Sequence, residues 1–159
     1  MHFATSPQDL LTLDQTLELS GLEFMQGILA GEISGPPIAT LLNYHLHSAE
    51  TGRVVFEGTP QFAHANPAGG VHGGWYGTLM DSCMSCAVMS MLPAGSVYTT
   101  LEYKVNLTRA IPFDTTVHAI GIADHVGRST GVAHGELRGR DDGKLYATGT
   151  ATCLVMKLR

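Results

Sequence analysis

Between Glu57 and Glu102 the chain carries one formal charge, Asp81. The run Asn66-Pro-Ala-Gly-Gly-Val-His-Gly-Gly-Trp-Tyr-Gly-Thr-Leu-Met-Asp81 leads from a glycine-rich turn into apolar sequence that continues to Leu92. The segment predicts a long helix from Val71 or His72 to about Leu92, ended by Pro93-Ala94-Gly95. So apolar a helix belongs inside a fold, with other elements wrapped around it. A carboxylate there is costly unless it is paired or hydrogen-bonded, so Asp81 is a candidate for chemistry.

The flanking sequence supplies the wrapping. Before the helix, a strand is expected from about Ala39 to His47, a hairpin turn over Ala49-Glu-Thr-Gly-Arg53, a second strand from Val54 to Thr59 and a loop from Phe62 to Gly70. After it come four strands, Tyr98 to Arg109, Thr115 to His125, Ser129 to Arg140 and Tyr146 to Lys157, with turns at Val126-Gly127-Arg128 and Arg140-Asp141-Asp142-Gly143. Thr99, Leu101, Tyr103, Val105 and Leu107 alternate with Thr100, Glu102, Lys104, Asn106 and Thr108, which predicts one polar sheet face. Leu10 to Leu29 has a rough helical period broken at Gly21, giving a short leader and a helix from Leu22 to Ala30. Gly35-Pro36-Pro37 closes that region. The 159 residues suit one α+β domain: an antiparallel sheet around a central helix.

Hydrophobic residues make up 44% of the chain and charged residues 14%, lean enough to predict burial of surface against another subunit. A net charge of −5 argues against a general nucleic-acid partner. No apolar run reaches the length of a membrane span. Met1 to Asp9 has neither a basic region nor an apolar signal core, so a cytoplasmic protein is expected. Three cysteines make no disulfide framework.

A helix N-terminus offers free N–H groups and partial positive charge. Gly69, Gly70, Gly73 and Gly74 let another molecule approach that backbone closely. The expected guest is an anion or a polarised carbonyl, with Asp81 as nucleophile or general base. Eight helical residues span about 12 Å, and a base must lie within about 3 Å of its target. If both Gly73 and Asp81 act on one bond, one of them comes from a second copy, which predicts a homodimer with shared sites.

These residues resemble the hotdog-fold thioesterases of the PaaI/4-hydroxybenzoyl-CoA thioesterase type. The match runs through Asn66, Gly70-Val71-His72-Gly73-Gly74, Asp81, Thr99 to Asn106 and Arg109, and covers roughly Ile38 to Met156. The resemblance implies a hotdog domain over residues 38–159, with residues 1–37 as a helical extension of unassigned role. It implies acyl-CoA hydrolysis, with the Gly73 N–H polarising the carbonyl and Asp81 of the partner subunit as nucleophile or general base. Asn66 would hold the thioester region or the attacking water, and His72 would shape the turn and assist carbonyl binding. Thr100 would position water, with Thr99 as rival. Gly74, Arg128, Ser129 and Arg109 are the implied substrate contacts, the basic ones for the phosphates of coenzyme A. No cofactor or metal is implied, coenzyme A being part of the substrate. A dimer of dimers is the implied assembly. Ala110 stands where the family often has proline.

Plainer readings stand beside these. Asp81 can be a buried hydrogen-bonded structural carboxylate, Asn66 a turn cap, His72 a structural histidine, Thr100 a strand former and Arg128 a solvated turn residue. Gly127-Arg-Ser-Thr-Gly131 matches a nucleophile elbow in letters, yet strand rather than helix follows it. Cys83-Met-Ser-Cys86 lies deep in an apolar helix, where cysteine acts as a small hydrophobe. The histidines show no metal spacing, and His45 and His47 read as surface residues. Met80, Met84, Met89 and Met91 read as core filling, and Trp75, Tyr76 and Leu79 as candidates for an acyl pocket. A hydratase or dehydratase, or a non-catalytic acyl-CoA-binding module, are the alternatives on the same fold. The acyl group, and coenzyme A against acyl carrier protein, stay open.

Overall fold

The computed structural model describes residues 2–158. Its centre is helix α4, Gly73–Met89, with Trp75, Tyr76, Gly77, Leu79, Met80, Cys83, Met84, Ser85, Ala87 and Val88 all buried. Around it lies one antiparallel sheet of six strands: β1 (Tyr44–Glu50), β2 (Arg53–Gly58), β3 (Ser96–Leu107), β4 (Val117–Val126), β5 (Thr130–Gly139) and β6 (Leu145–Lys157). Their spatial order is β1-β2-β4-β5-β6-β3, and every neighbouring pair is antiparallel. This is the hotdog arrangement, a sheet curled around a helix.

The curl depends on close approach. A Cβ at Gly121 of β4 would run into the backbone carbonyl of Cys83, and one at Gly135 of β5 would press on the Met84 side chain. Glycine lets the helix backbone settle onto the sheet there. Val54, Val117, Ala119, Leu137 and Ala147 complete the seal from the sheet side.

The N-terminal region is three short helices: α1 (Leu13–Leu17), α2 (Gly21–Ala30) and α3 (Pro37–Leu41). Ser20 and Glu23 form a reciprocal capping box at the start of α2, and Gly31 ends it in a left-handed conformation, φ 80°. The Gly21 N–H donates to the Leu92 carbonyl, and the Gly95 N–H to the Leu17 carbonyl. The extension is thereby pinned to the end of α4.

Two expectations need correction. The first strand begins at Tyr44, because α3 occupies Pro37–Leu41. Pro36-Pro37 does not merely stop α2; Pro37 opens a new helix, where its fixed φ is favourable and its missing N–H costs nothing. This helix also straddles the position where the extension was expected to end. The central helix starts two residues after Val71 and stops at Met89, with hydrogen-bonded turns continuing to Leu92.

The second correction concerns β3. The pairing with β6 slips between Thr100 and Glu102, leaving Leu101 as a bulge. The strand therefore changes phase. Thr100 faces Asp81 before the bulge; after it Tyr103 faces Gly77 and Leu107 faces Gly73. Continuous alternation across Leu101 does not hold, and neither does a clean division into polar and apolar faces. Leu101 is 59% exposed, Tyr103 46% and Leu107 52%. β3 is an edge strand, with its far side unpaired among the described residues.

Candidate active site

The turn before α4 is built from its own side chains. Asn66 Oδ1 accepts from the Ala68 N–H at 2.9 Å and the Gly70 N–H at 3.2 Å. The Asn66 N–H donates to the Gly70 carbonyl at 2.7 Å. Gly69, at φ 83°, takes the left-handed conformation this loop requires. Asn66 is thus a turn cap, as the plainer reading had it, while its Nδ2 makes no hydrogen bond among the described residues.

His72 is the N-cap of α4: its Nδ1 accepts from the Gly74 N–H at 2.9 Å. In the neutral ring that leaves the proton on Nε2. The Gly74 amide is thereby engaged inside the chain and is not a free donor to a substrate. The Gly73 N–H has no partner among the described residues and is exposed at the positive end of a 17-residue helix.

Asp81 is half-buried two turns further along α4. The Thr100 hydroxyl donates to its Oδ1 at 3.0 Å, which decides between the two threonines: Thr100 touches the carboxylate. Burial pushes the Asp81 pKa above its ordinary value, and the Thr100 hydrogen bond opposes that rise. Asp81 stands at one side of a cavity of about 470 Å³ that Tyr98, Thr99 and Thr100 also line.

The basic candidates are spread out. Arg109 follows β3, and its carbonyl accepts from the Tyr76 hydroxyl at 3.4 Å, one helical turn from Gly73. Arg128 and Ser129 form the exposed β4–β5 turn near the other end of α4, where Gly131 packs on Val88. That turn joins two strands, so the Gly-x-Ser-x-Gly letters there are no nucleophile elbow.

The suggested acyl-pocket trio is not one. Trp75 Nε1 donates to the Leu42 carbonyl at 2.8 Å, the Tyr76 hydroxyl accepts from the Ile111 N–H at 2.8 Å, and Leu79 is fully buried. All three anchor α4 in the core. Met80 and Met84 fill the core as expected, whereas Met89 lines the cavity and Met91 is 44% exposed. Cys83 is buried in the core, and burial pushes the Cys86 thiol up to about 11, so neither is poised for redox chemistry.

Strand register hid one cluster from sequence reading. The β1 bulge at His47 and the β2–β4 pairing bring His47, Glu57 and His118 together, their ligating atoms within 4.8 Å of one another. His118 Nε2 meets Glu57 Oε2 at 3.0 Å, and Arg140 approaches the same oxygen at 3.7 Å. His118 alternates with buried Val117 and Ala119, so the cluster lies on the sheet face turned away from α4.

Residues 68–146 match the family model of the Thioesterase superfamily. The sheet and helix are similar to a phenylacetic acid degradation-related protein of Ralstonia eutropha, at 28% identity over 82% of this chain and 98% of that one, TM-score 0.74. A hypothetical thioesterase of Streptococcus pneumoniae, solved with coenzyme A, is 27% identical over 74% and 88% of the two chains, TM-score 0.66. The PaaI protein of Escherichia coli, at 19% identity over 88% and 96%, TM-score 0.73, shares the fold. No protein of curated function matches the chain. The fold and the family match define a thioester hydrolase. The chain belongs to the thioesterase superfamily, as a PaaI-like hotdog protein.

Proposed function

We propose that the protein hydrolyses acyl-CoA thioesters at sites shared between two copies of the chain. The observation that carries this reading is the pairing of a free helix-terminal amide, Gly73, with a half-buried, hydroxyl-held carboxylate, Asp81, on one helix. The Gly73 N–H and the α4 dipole stabilise the oxyanion that forms when the thioester carbonyl is attacked. Asp81 either deprotonates a water that attacks the carbonyl carbon or attacks it directly, giving a mixed anhydride that a water then hydrolyses to restore the carboxylate, and the Thr100 hydroxyl fixes which carboxylate oxygen is free to do so. The C–S bond breaks, the thiol leaves with a proton, and the acid is released.

One chain does not hold both groups at one carbonyl, since α4 sets them about 12 Å apart. The free edge of β3 supports a two-fold assembly. Gly73 lies against Leu107, Gly77 against Tyr103, and Asp81 against Thr100. Gly77 is midway between Gly73 and Asp81. A two-fold axis beside Tyr103 pairs two β3 edges and sets the two α4 helices antiparallel, so Gly73 of one copy comes level with Asp81 of the other. The same assembly brings the Arg128 turn of one chain toward the Gly73 end of its partner, where a coenzyme A tail needs cations. His72 is committed to capping, which favours hydrolysis over a hydratase built on a histidine.

The test is complementation. Asp81→Asn removes the carboxylate. Gly73→Pro removes the amide donor at the first helical position, where proline is well tolerated and follows an already extended His72, φ −63°, ψ 136°. Each variant alone is expected to be inactive toward an acyl-CoA panel in a free-thiol assay. Co-refolded in equal amounts, they should recover about a quarter of wild-type activity, because half the dimers carry one intact site of two. No recovery, with hybrid dimers shown to form, would sink the shared-site reading.

A further inference from the structure

Resting on the thioesterase reading, we infer that the N-terminal extension is the wall of the acyl pocket, and that the pocket selects an apolar acyl group larger than butyryl and free of hydroxyls.

The cavity of about 470 Å³ beside Asp81 is in the range of small-molecule sites. Its far wall comes from the extension: Phe24, Met25 and Ile28 of α2, with the Ser34–Ala39 segment leading into α3. Its near walls are the sheet residues Tyr44, Leu46 and Phe56 and the α4 residue Met89. Without residues 2–41 it would be an open hollow on the sheet. The extension is tied to the end of α4 by the Gly21 and Gly95 hydrogen bonds, and its two ends are tied to each other by the Phe3–Gly35 bridge, so the wall is fixed rather than loose.

The chemistry of the lining sets the class of occupant. Several of its polar side chains pair with one another: Tyr44 with Ser82 at 3.3 Å, Tyr98 with Ser85 at 3.4 Å, Thr100 with Asp81 at 3.0 Å. Away from Asp81 and its two neighbouring threonines the wall is largely hydrocarbon, with Phe24, Met25, Ile28, Leu46, Phe56 and Met89, which favours an apolar acyl body over a hydroxylated one. Asp81 and Thr100 form the polar end, which takes the thioester carbon. The hydrocarbon body then runs from Asp81 toward α2.

The test is kcat/KM for butyryl-, hexanoyl-, octanoyl-, phenylacetyl- and 3-hydroxyoctanoyl-CoA. Each added methylene that enters the cavity should raise kcat/KM about fourfold, and the 3-hydroxy group should lower it relative to octanoyl. Ile38→Trp, at a 44% exposed cavity position, should cut the octanoyl-to-butyryl ratio at least tenfold. Phe24→Ala should shift the preference to longer chains. A flat or falling chain-length profile in an active enzyme would overturn the pocket assignment while leaving the thioesterase reading intact. If no acyl-CoA is hydrolysed, the thioesterase reading falls instead. Calorimetric titration of Asp81→Asn with octanoyl- and butyryl-CoA then decides the pocket alone: tighter octanoyl binding, weakened by Ile38→Trp, supports it, and equal affinities overturn it.

Discussion

In the proposed mechanism Asp81 serves function at the expense of stability. Its pKa is raised by burial, so the folded state binds its proton more tightly than the unfolded chain does. Stability falls as pH rises from the unfolded carboxylate pKa through the folded one, and the full penalty remains at neutral pH. Asp81→Asn keeps an oxygen to accept from Thr100 and removes the charge. It should abolish turnover yet stabilise the protein by about 1 kcal/mol at neutral pH, the gain vanishing below the ordinary carboxylate range. Chemical denaturation of both proteins across pH measures this. An unchanged or lowered midpoint at neutral pH would show that Asp81 is an ordinary structural carboxylate. The residue was visible in the sequence because a lone charge in apolar helix is conspicuous. Its Thr100 partner was ambiguous by one position because the Leu101 bulge has no local sequence mark.

At the scale of elements, what was legible and what was not divides by range. The β1–β2 hairpin, the ends of α2 and the four later strands follow from turn residues and short-range periodicity, and the structure places them within a few residues of expectation. The α3 helix was missed because a proline pair reads as a stop and as a start with equal ease. The cavity and the His47–Glu57–His118 cluster were not legible at all: each assembles residues from several elements that only the packing brings together. The helix–sheet contact makes its own prediction. Gly121 lies under the Cys83 carbonyl with no room for a Cβ, and both partners are backbone, which cannot swing aside. Gly121→Ala should cost about 1–3 kcal/mol, read as a lower denaturation midpoint. A neutral result would mean that the sheet can flatten away from α4 freely.

For the whole molecule, the low charge content anticipated buried surface, and the exposed β3 residues are where the structure has such surface to offer. Leu101, Tyr103 and Leu107 lie along an unpaired edge, a combination that single chains ordinarily avoid. Tyr103→Lys on that edge should shift the protein to monomer in sedimentation equilibrium and lower activity in parallel, since each site in the proposed mechanism draws on two chains. Full activity in a demonstrated monomer would remove the dimer from the mechanism.

The sheet order has a further consequence, for biosynthesis. Among the described residues β3 pairs with β6 alone, which is made after it with β4 and β5 intervening. While the ribosome adds those strands, β3 waits with both edges open and α4 lacks half its cover. Pairings so distant in sequence form slowly, and exposed strands in that interval invite association between nascent chains. Lys104 and Glu102, projecting from the waiting strand, put charge where premature pairing would otherwise begin.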